Sequence, residues 1–258
     1  MVDSQAQYGF IGVGAIAAAM VTGLCRSDDE APTILLSPRN AQKASELASR
    51  FRPVTVAPDN QAVIEGSKVI VLCLRPQDAA SVLPGLTFPS GQAVVSAMAG
   101  VSLAALARLG IPKRNTARSI PLPAVARGEA ATPVYPLTDA AQRLFDQLGS
   151  AEALPDETAF DALSASTATI ATHFAYLEII AGWLRQKRVP EDIIRRQLGT
   201  TFSGIATELA EPRDFRSLAQ DYATAGGINA QFLASMKEAG LVHHVEAALE
   251  EVLERLTD

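Results

Sequence analysis

The sequence is poor in the residue types that mark several protein classes. Its 258 residues include two cysteines, three histidines and one tryptophan, and aromatic residues make up only 5%. Both cysteines, Cys25 and Cys73, lie inside apolar runs, which is typical of buried thiols rather than of a disulfide or a metal pair. The sequence contains no CxxC, no HExxH and no Asp-rich loop. We therefore expect no metal site.

Long apolar runs and an excess of basic residues are also missing. No stretch reaches the ~18 uninterrupted apolar residues of a membrane span, and the polar start, residues 1–7, lacks the apolar centre of a secretory signal. The formal net charge is -6, from 22 basic and 28 acidic residues, whereas nucleic-acid-binding proteins usually carry a basic face. We expect a cytoplasmic protein that binds neither a membrane nor nucleic acid.

Up to residue 156, short apolar runs alternate with helix-like segments. The runs predict strands at 8–13, 33–36, 54–57, 69–74, 93–99 and 116–120, and the segments predict helices at 15–25, 41–51 and 77–83. This alternation is typical of a parallel sheet covered by helices on both faces. Later runs at 131–135 and 151–154 fit added edge strands, because Pro133 and Pro136 are better tolerated at an edge than at a sheet centre.

After Pro155 only helical patterns remain. One long helix is predicted by apolar positions spaced alternately four and three residues apart, at Leu163, Thr167, Ile170, Phe174, Leu177, Ala181 and Leu184. Pro190 favours a second helix start, residues 223–227 interrupt the pattern, and Gly240 separates two last helices at 229–239 and 241–256. The predicted fold class is α/β: a Rossmann-type parallel-sheet domain over residues 1–156, followed by an all-helical domain over residues 157–258.

Residues 12–17 (Gly-Val-Gly-Ala-Ile-Ala) fit the dinucleotide-binding pattern G-x-G-x-x-G/A between a predicted strand and a predicted helix. Gly12 permits the tight turn, Gly14 lets the backbone approach a pyrophosphate, and Ala17 allows close packing of the helix on the strand. The pyrophosphate is expected at the helix N-terminus, against Ala15 and Ile16. A glycine-rich turn that binds nothing is the alternative, but the βαβ context favours cofactor binding.

The end of the second predicted strand indicates which dinucleotide is bound. NAD enzymes usually have Asp or Glu there, which accepts a hydrogen bond from the ribose 2′-hydroxyl. Residues 36–40 (Leu-Ser-Pro-Arg-Asn) contain no carboxylate. Ser37, Arg39 and Asn40 supply donors instead, and an arginine pairs bidentately with a 2′-phosphate. A solvated arginine at a helix start is the alternative for Arg39. The sequence thus predicts an oxidoreductase that uses NADP(H) on a small molecule.

Several short motifs resemble those of the pyrroline-5-carboxylate reductase family. They are residues 9–14 (GFIGVG), 37–39 (SPR), 59–60 (DN), 74–77 (LRPQ) and 99–102 (AGVS). That family reduces a cyclic imine, Δ1-pyrroline-5-carboxylate, to proline with NAD(P)H in proline biosynthesis. The resemblance implies a Rossmann domain followed by a helical dimerisation domain, with a homodimer formed through the C-terminal helices.

The resemblance also implies further cofactor contacts. Asn60 would approach the adenosine portion of the cofactor. The residues lining the cleft after the fourth strand would be Leu74, Arg75, Pro76 and Gln77. Those near the nicotinamide ribose would be Ala97, Ala99 and Gly100. Arg75 stands where the family usually has Lys, so the positive charge is kept. A strand stop at Pro76 and a plain turn at Gly100 are the alternatives.

The substrate motifs depart from the family. Leu122 replaces the Asn of a Met-Pro-Asn-Thr-Pro segment, residues 167–173 lack the family's glycines, and Asn229 replaces a Thr associated with substrate hydrogen bonding. Leu122 and Ile170 offer no side-chain donor to a substrate carboxylate. We therefore predict reduction of a cyclic imine or a related small carbonyl compound, not restricted to pyrroline-5-carboxylate.

Three residues are candidates for catalysis. Histidine side chains titrate near neutral pH, so His173 is suited to donate a proton. Thr224 and Asn229 flank a Gly-Gly pair and can hydrogen-bond a substrate. A partly buried helix histidine and helix capping by Thr224 or Asn229 are the alternatives. For the whole protein, the alternative is an NADP(H)-binding dimer that has lost its chemistry and acts as a sensor or partner.

Overall fold

The computed structural model describes residues 5–27 and 29–257. The first part of the chain alternates strands and helices: β1 (Ala6–Ile11), α1 (Ala15–Leu24), β2 (Ile34–Leu36), α2 (Ala41–Arg50), β3 (Val54–Val56), α3 (Asn60–Glu65), β4 (Ser67–Leu72), α4 (Pro76–Val82), β5 (Ala93–Ser96), α5 (Leu103–Arg108), β6 (Thr116–Ser119), β7 (Ala130–Tyr135), α6 (Asp139–Asp146) and β8 (Gly149–Ala153). Helices alone follow: α7 (Glu157–Ser166), α8 (Thr169–Gln186), α9 (Glu191–Thr207), α10 (Phe215–Tyr222), α11 (Ile228–Glu238) and α12 (Leu241–Thr257).

The strands form one eight-stranded sheet in the order β3-β2-β1-β4-β5-β6-β7-β8. Strands β1 to β6 pair in parallel, and β7 runs antiparallel to β6. Both faces of the sheet are covered, because alternate residues of one strand enter two different apolar clusters. Phe10 belongs to one cluster and Ile11 to the other. A central parallel strand buried on both faces is apolar throughout, and this explains the continuous apolar runs. The predicted α/β fold class is confirmed.

The prediction of two edge strands is wrong for β7, which lies between β6 and β8. Pairing between β6 and β7 is short, and it joins only Arg118 to Tyr135 and Ser119 to Val134. The Pro133 carbonyl accepts a hydrogen bond from the Ile120 N–H, one residue past the end of β6. In an antiparallel pair the missing Pro133 N–H would face Ile120, which lies just past the end of β6, so this interior strand tolerates the proline with the loss of one hydrogen bond.

The single long helix predicted from Leu163 to Leu184 is two helices, α7 and α8. A run of Ser and Thr residues separates them, and the Thr169 hydroxyl donates to the Ser166 carbonyl at 2.7 Å. Such side chains offer the backbone an alternative to helical hydrogen bonds. The sequence analysis also missed α10, whose start is capped by the Asp214 carboxylate. The helix starts predicted after Pro190 and after Gly240 are confirmed.

The described residues form two compact units. The first unit contains the chain up to Ser164 together with the residues from Leu253 onward, and the second contains Ala165–Val252. The sequence-based boundary at residue 157 is the start of α7, and most of that helix belongs to the first unit. Among the described helices, none is long and apolar enough to cross a membrane.

Candidate functional site

The turn between β1 and α1 is held by residues that follow β2. Gly12 has a φ of +93°, and a Cβ there would lie 2.7 Å from the Cys73 carbonyl oxygen, so only glycine fits. The Gly12 N–H donates to the Ser37 hydroxyl at 3.0 Å, and the Asn40 side-chain amide donates to the Val13 carbonyl at 3.0 Å. Ser37 is fully buried. Ser37 and Asn40 therefore hold the turn in place through hydrogen bonds to its backbone.

The N-terminus of α1 has room for an anionic ligand. Its N-cap is Gly14, which has no side-chain cap, and a Cβ added to Gly14 would meet nothing within 4 Å. By contrast, helices α2, α3, α5 and α6 are all capped by a side chain, from Asn40, Asp59, Ser102 and Thr138 respectively. Unpaired N–H groups in open space at a helix start bind phosphates. The first turn of α1, with Ala15 and Ile16, fits the pyrophosphate of a dinucleotide.

A cleft of about 340 Å³ opens beside this turn. Its lining brings together six residues predicted from the sequence, namely Gly12, Gly14, Arg39, Asn40, Leu74 and Arg75, together with Val13, Cys73 and Asp78. The other predicted cofactor residues lie at the carboxyl ends of neighbouring strands. Asn60 opens α3, Pro76 and Gln77 open α4, and the exposed Ala99 and Gly100 lie between β5 and α5. The Ala97 N–H donates to the Leu72 carbonyl at 2.8 Å, which fixes the exit of β5.

Asp78 is a charged cleft residue that the sequence analysis missed. Its carboxylate accepts two hydrogen bonds from Arg75, from Nε at 2.8 Å and from Nη2 at 3.3 Å. Nη2 of Arg39 lies 3.7 Å from Oδ1 of the same carboxylate. The hydrogen bond from Arg75 is the main reason why the pKa of Asp78 is held below its usual value. Asp78 is thus a carboxylate anion shared by two guanidinium groups.

Cys73 lines the cleft without being reactive. Burial raises the pKa of its thiol to about 12, so the thiol stays protonated at neutral pH, and a protonated thiol is a poor nucleophile and metal ligand. Across residues 5–27 and 29–257, no group of three or more His, Cys, Asp or Glu side chains is placed to hold a metal ion.

A buried ion cluster joins β6 to α7 within the first unit. Arg118 is 1% exposed, and it donates to Glu157 and to Asp161, each at 2.7 Å. Its guanidinium carbon lies 4.4 Å from the centre of the Phe160 ring. Glu157 also accepts from the Leu103 N–H at 2.9 Å, just after the loop that contains Ala99 and Gly100. The cluster therefore ties that loop to both β6 and α7.

The second unit carries the three candidates for catalysis. His173 lies on α8 and is exposed, contrary to the partly buried alternative, and its ring centre is 5.8 Å from that of Phe202. It borders a cavity of about 350 Å³ whose other lining residues are Phe202, Ile205, Ala206, Glu208, Leu209, Leu218, Ala219 and Tyr222. In this cavity the Tyr222 hydroxyl donates to Glu208, and that hydrogen bond is the main reason why the pKa of Tyr222 is raised.

Thr224 and Asn229 do not cap a helix. The N-cap of α11 is Gly227, which has no side-chain cap, and Asn229 lies in the first turn of that helix. The Thr224 carbonyl accepts from the Gly227 N–H at 2.9 Å. Both side chains are exposed. The capping alternative is therefore wrong for both residues.

Comparison with known proteins identifies the family. Residues 7–100 match the family model described as NADP oxidoreductase, coenzyme F420-dependent. The pyrroline-5-carboxylate reductase of Pseudomonas aeruginosa is 31% identical in an alignment of 185 positions, which covers 67% of this chain and 67% of the relative. That of Pasteurella multocida is 29% identical over 262 residues, covering 95% of this chain and 94% of the relative.

A solved structure of 1-pyrroline-5-carboxylate reductase from Streptococcus pyogenes has the same fold. It covers 98% of both chains with a TM-score of 0.84 at 21% sequence identity. The fold, the uncapped start of α1 and the identity with the Pseudomonas and Pasteurella proteins agree, and the chain belongs to the pyrroline-5-carboxylate reductase family of NAD(P)-dependent oxidoreductases.

Proposed function

We propose that this protein uses NADPH to reduce the C=N bond of a cyclic imine or the C=O bond of a related small carbonyl compound. The observation that carries this proposal is the cleft at the uncapped start of α1, with Gly14 facing open space and Arg39 in the lining. A bound nicotinamide cofactor supplies the hydride for such a reduction. The residues of this chain hold the cofactor and present the substrate to it.

Arg39 supports a preference for NADPH over NADH. Its side chain is 56% exposed and borders the cleft. The other two predicted donors are engaged elsewhere, because Ser37 accepts from Gly12, while Asn40 donates to Val13 and accepts from Lys43. Arg39 thus has an exposed guanidinium group in the segment after β2. An arginine can bind a 2′-phosphate through two parallel hydrogen bonds.

The second unit supplies the substrate contacts in this proposal. His173 is the proton donor to the reduced centre, and Thr224 and Asn229 hydrogen-bond the substrate. All three side chains are exposed in the described structure. Leu122 and Ile170 stand at positions where the family offers polar groups or glycine, so we propose a pocket that depends less on a substrate carboxylate than the family's own reaction does.

We also propose that the protein works as a cytoplasmic homodimer through its C-terminal helices. The second unit exposes many large apolar side chains, among them Phe174, Ile179, Trp183, Phe215, Ile228 and Phe232. Exposed apolar groups in this number mark an interaction surface, and a second copy of the same chain is the partner that the family resemblance implies.

The alternative of a catalytically lapsed cofactor-binding dimer is not favoured. The curated relatives that match over nearly the whole chain are reductases by name. Their similarity extends into the helical part, where this proposal places the substrate contacts.

The test is turnover across a panel of imines. Purified full-length protein is mixed with NADPH and with 1-pyrroline, 1-pyrroline-5-carboxylate, 1-piperideine-2-carboxylate or 2-oxo acids, and the loss of NADPH absorbance is followed. We expect turnover of cyclic imines with and without a carboxylate. Leu122→Asn restores an amide at this position and should raise the rate ratio of carboxylate-bearing to carboxylate-free imines, whereas Leu122→Met, without a donor, should not. Tight NADPH binding with no turnover across the panel would support the lapsed dimer.

A further inference from the structure

The cleft contains a carboxylate that the sequence around Arg39 does not show. Residues 36–40 carry no acid, and this absence by itself predicts NADP(H). In the folded protein, Asp78 from the first turn of α4 lies against Arg39, which follows β2. An acidic group therefore borders the very guanidinium that we assign to the 2′-phosphate.

The charges of the cleft partly cancel at this point. Asp78 makes a bidentate pair with Arg75 and lies 3.7 Å from Arg39, and its own side chain is only 20% exposed. These three are the charged members of the cleft lining. The two guanidinium groups and the carboxylate give the cleft lining a net charge of +1. Without Asp78 this net charge would be +2.

Support of the fold does not explain this arrangement. Arg75 is 71% exposed, and an ion pair at such a site contributes little to stability. An acid at the third position of a helix commonly reaches back to the N–H of the N-cap residue. Asp78 is the third residue of α4, yet its carboxylate accepts hydrogen bonds from the side chain of Arg75 and faces Arg39. In the first turn of α4 the carboxylate complements the helix dipole, and at the same time it faces Arg39 across the cleft.

The two cofactors differ in what they would present to this carboxylate. The 2′-phosphate of NADPH is an anion, and a like charge beside Arg39 weakens its binding. The ribose 2′-hydroxyl of NADH is a donor, and NAD enzymes usually bind it with an acid that follows β2. Asp78 comes from α4 instead, but its carboxylate lies 3.7 Å from Arg39, which follows β2, so it is placed to accept the same hydrogen bond. Asp78 is therefore expected to act on the two cofactors in opposite directions.

We propose that Asp78 is a specificity-determining residue. It weakens the binding of the NADPH 2′-phosphate by Arg39, and it accepts a hydrogen bond from the 2′-hydroxyl of NADH. The protein therefore uses both cofactors. This inference rests on the proposed function only in so far as the cleft binds a nicotinamide dinucleotide. It makes the preference for NADPH moderate rather than strict.

The test uses nucleotide fragments that differ at the 2′ position. The full-length protein and its Asp78→Asn variant, which keeps the shape of the side chain and removes the charge, are titrated calorimetrically with adenosine 2′,5′-bisphosphate and with adenosine 5′-phosphate. At about 0.05 M salt we expect the variant to bind the bisphosphate ~5–10-fold more tightly. Binding of adenosine 5′-phosphate should stay equal or weaken by up to ~3-fold. The gain should shrink at about 0.5 M salt, because salt screens exposed charges.

Two further variants separate this role from a general charge effect. Glu129→Gln removes one acid from the exposed pair Arg127–Glu129, outside the cleft lining, and should change neither affinity. In the Arg39→Ala background, Asp78→Asn should increase the affinity for the bisphosphate much less than it does in the wild type. The reason is that Arg39 and Asp78 then no longer act on the same phosphate.

Specific results would overturn the proposal. Equal bisphosphate affinity in wild type and Asp78→Asn would show that the carboxylate does not influence the site. Weaker bisphosphate binding in the variant would show that Asp78 instead holds the arginines in position for the phosphate. Failure of the wild type to bind either nucleotide would overturn both this role and the cofactor cleft. Since the titrations need no imine, a protein that shows the expected shift but reduces nothing would contradict the proposed function alone.

Discussion

The two units of this protein bury their apolar residues very differently. The first unit holds nearly all of the buried apolar side chains in two clusters on opposite faces of its sheet. In the second, the buried apolar residues that the structure describes are Ala165, Ala181, Ile194 and Leu218. Ile179, Phe215 and Ile228 of that unit are 72%, 77% and 84% exposed. In the first unit, the exposed large apolar residues among those described are Val56, Leu137 and Leu163, at 40–41%.

This contrast shows that the units have different requirements for stability. Burial of apolar surface is the main favourable contribution to folding, and the first unit achieves it within one chain. The second leaves apolar stripes on its helices, as helices do when they pack against another subunit. The first unit is thus expected to be stable alone, and the second to need the partner subunit of the proposed homodimer.

The largest loss is expected inside the first unit, at Arg118. Arg118→Ala would leave the carboxylates of Glu157 and Asp161 without their cation, and the Asp161 side chain is only 12% exposed. Removing one partner from a buried ion cluster costs about 3–5 kcal/mol. Urea unfolding of wild type and variant, followed by circular dichroism, measures this loss of the free energy of unfolding.

The matched control is Arg127→Ala, which breaks an exposed pair whose side chains are 67% and 65% exposed. It should cost no more than about 1 kcal/mol. Arg118→Met combined with Asp161→Leu should recover part of the loss, because replacing a buried ion pair by apolar groups is often close to neutral. Equal losses in Arg118→Ala and Arg127→Ala would mean that the cluster does not hold α7 to the sheet.

A charge on the helices of the second unit should act on assembly instead of on the fold of the chain. Ile179 on α8 is 72% exposed, and burying an isoleucine side chain in an interface contributes about 1.5–3 kcal/mol. Ile179→Asp is therefore expected to raise the dimer dissociation constant by at least ~10-fold, as measured by sedimentation velocity over a concentration series. The control is Leu137→Asp in the first unit, at a residue 41% exposed. A dimer unchanged by Ile179→Asp would place the contact between subunits elsewhere.

Most of the fold was predictable from the sequence, since each local pattern reports the burial of its own element. The strands match apolar runs, and Pro190 and Gly240 mark helix ends. The errors arose where tertiary contacts decide. Pro133 is tolerated in an interior strand because β6 stops early, and the apolar stripe through residues 163–184 continues across the break between α7 and α8. A spacing of three and four shows which face is apolar, but not whether the backbone is continuous.

The site was predictable where its residues belong to short local motifs, in the turn after β1 and in the segments that follow β2 and β4. Gly12 and Gly14 belong to a single strand–turn–helix unit, and the structure places them in the cleft. Asp78 and Arg39 meet only because β1 lies between β2 and β4 and brings the ends of those strands together. Arg118, Glu157 and Asp161 likewise meet only through the fold. A sequence shows the charge of such residues but not their partners. The sequence analysis therefore missed Asp78, the acid that we expect to weaken the binding of a 2′-phosphate by Arg39.

The two thiols, Cys25 and Cys73, both belong to the first unit. Burial raises the pKa of Cys73 to about 12, against about 8.5 for a free thiol. Between these two values the folded protein keeps a proton that the unfolded chain has lost. The free energy of unfolding is therefore unaffected by this thiol below about pH 8.5. It falls as the pH rises from there towards the pKa of the folded protein, because the unfolded chain alone loses the proton. At pH 8, native thiols should be alkylated by iodoacetamide at least ~100-fold more slowly than in urea.

The alkylation rate of Cys25 also separates the two units, because this thiol is buried in the first unit and reacts only when that unit opens. Dilution until the dimer dissociates should leave the rate unchanged if the first unit is complete in one chain. Ile179→Asp should have the same null effect at any concentration, while Arg118→Ala should raise the rate by weakening the first unit directly. A rate that rises on dilution would mean that the first unit depends on the partner through the second. The two units would then form one cooperative structure, and their difference in burial would no longer imply a difference in stability.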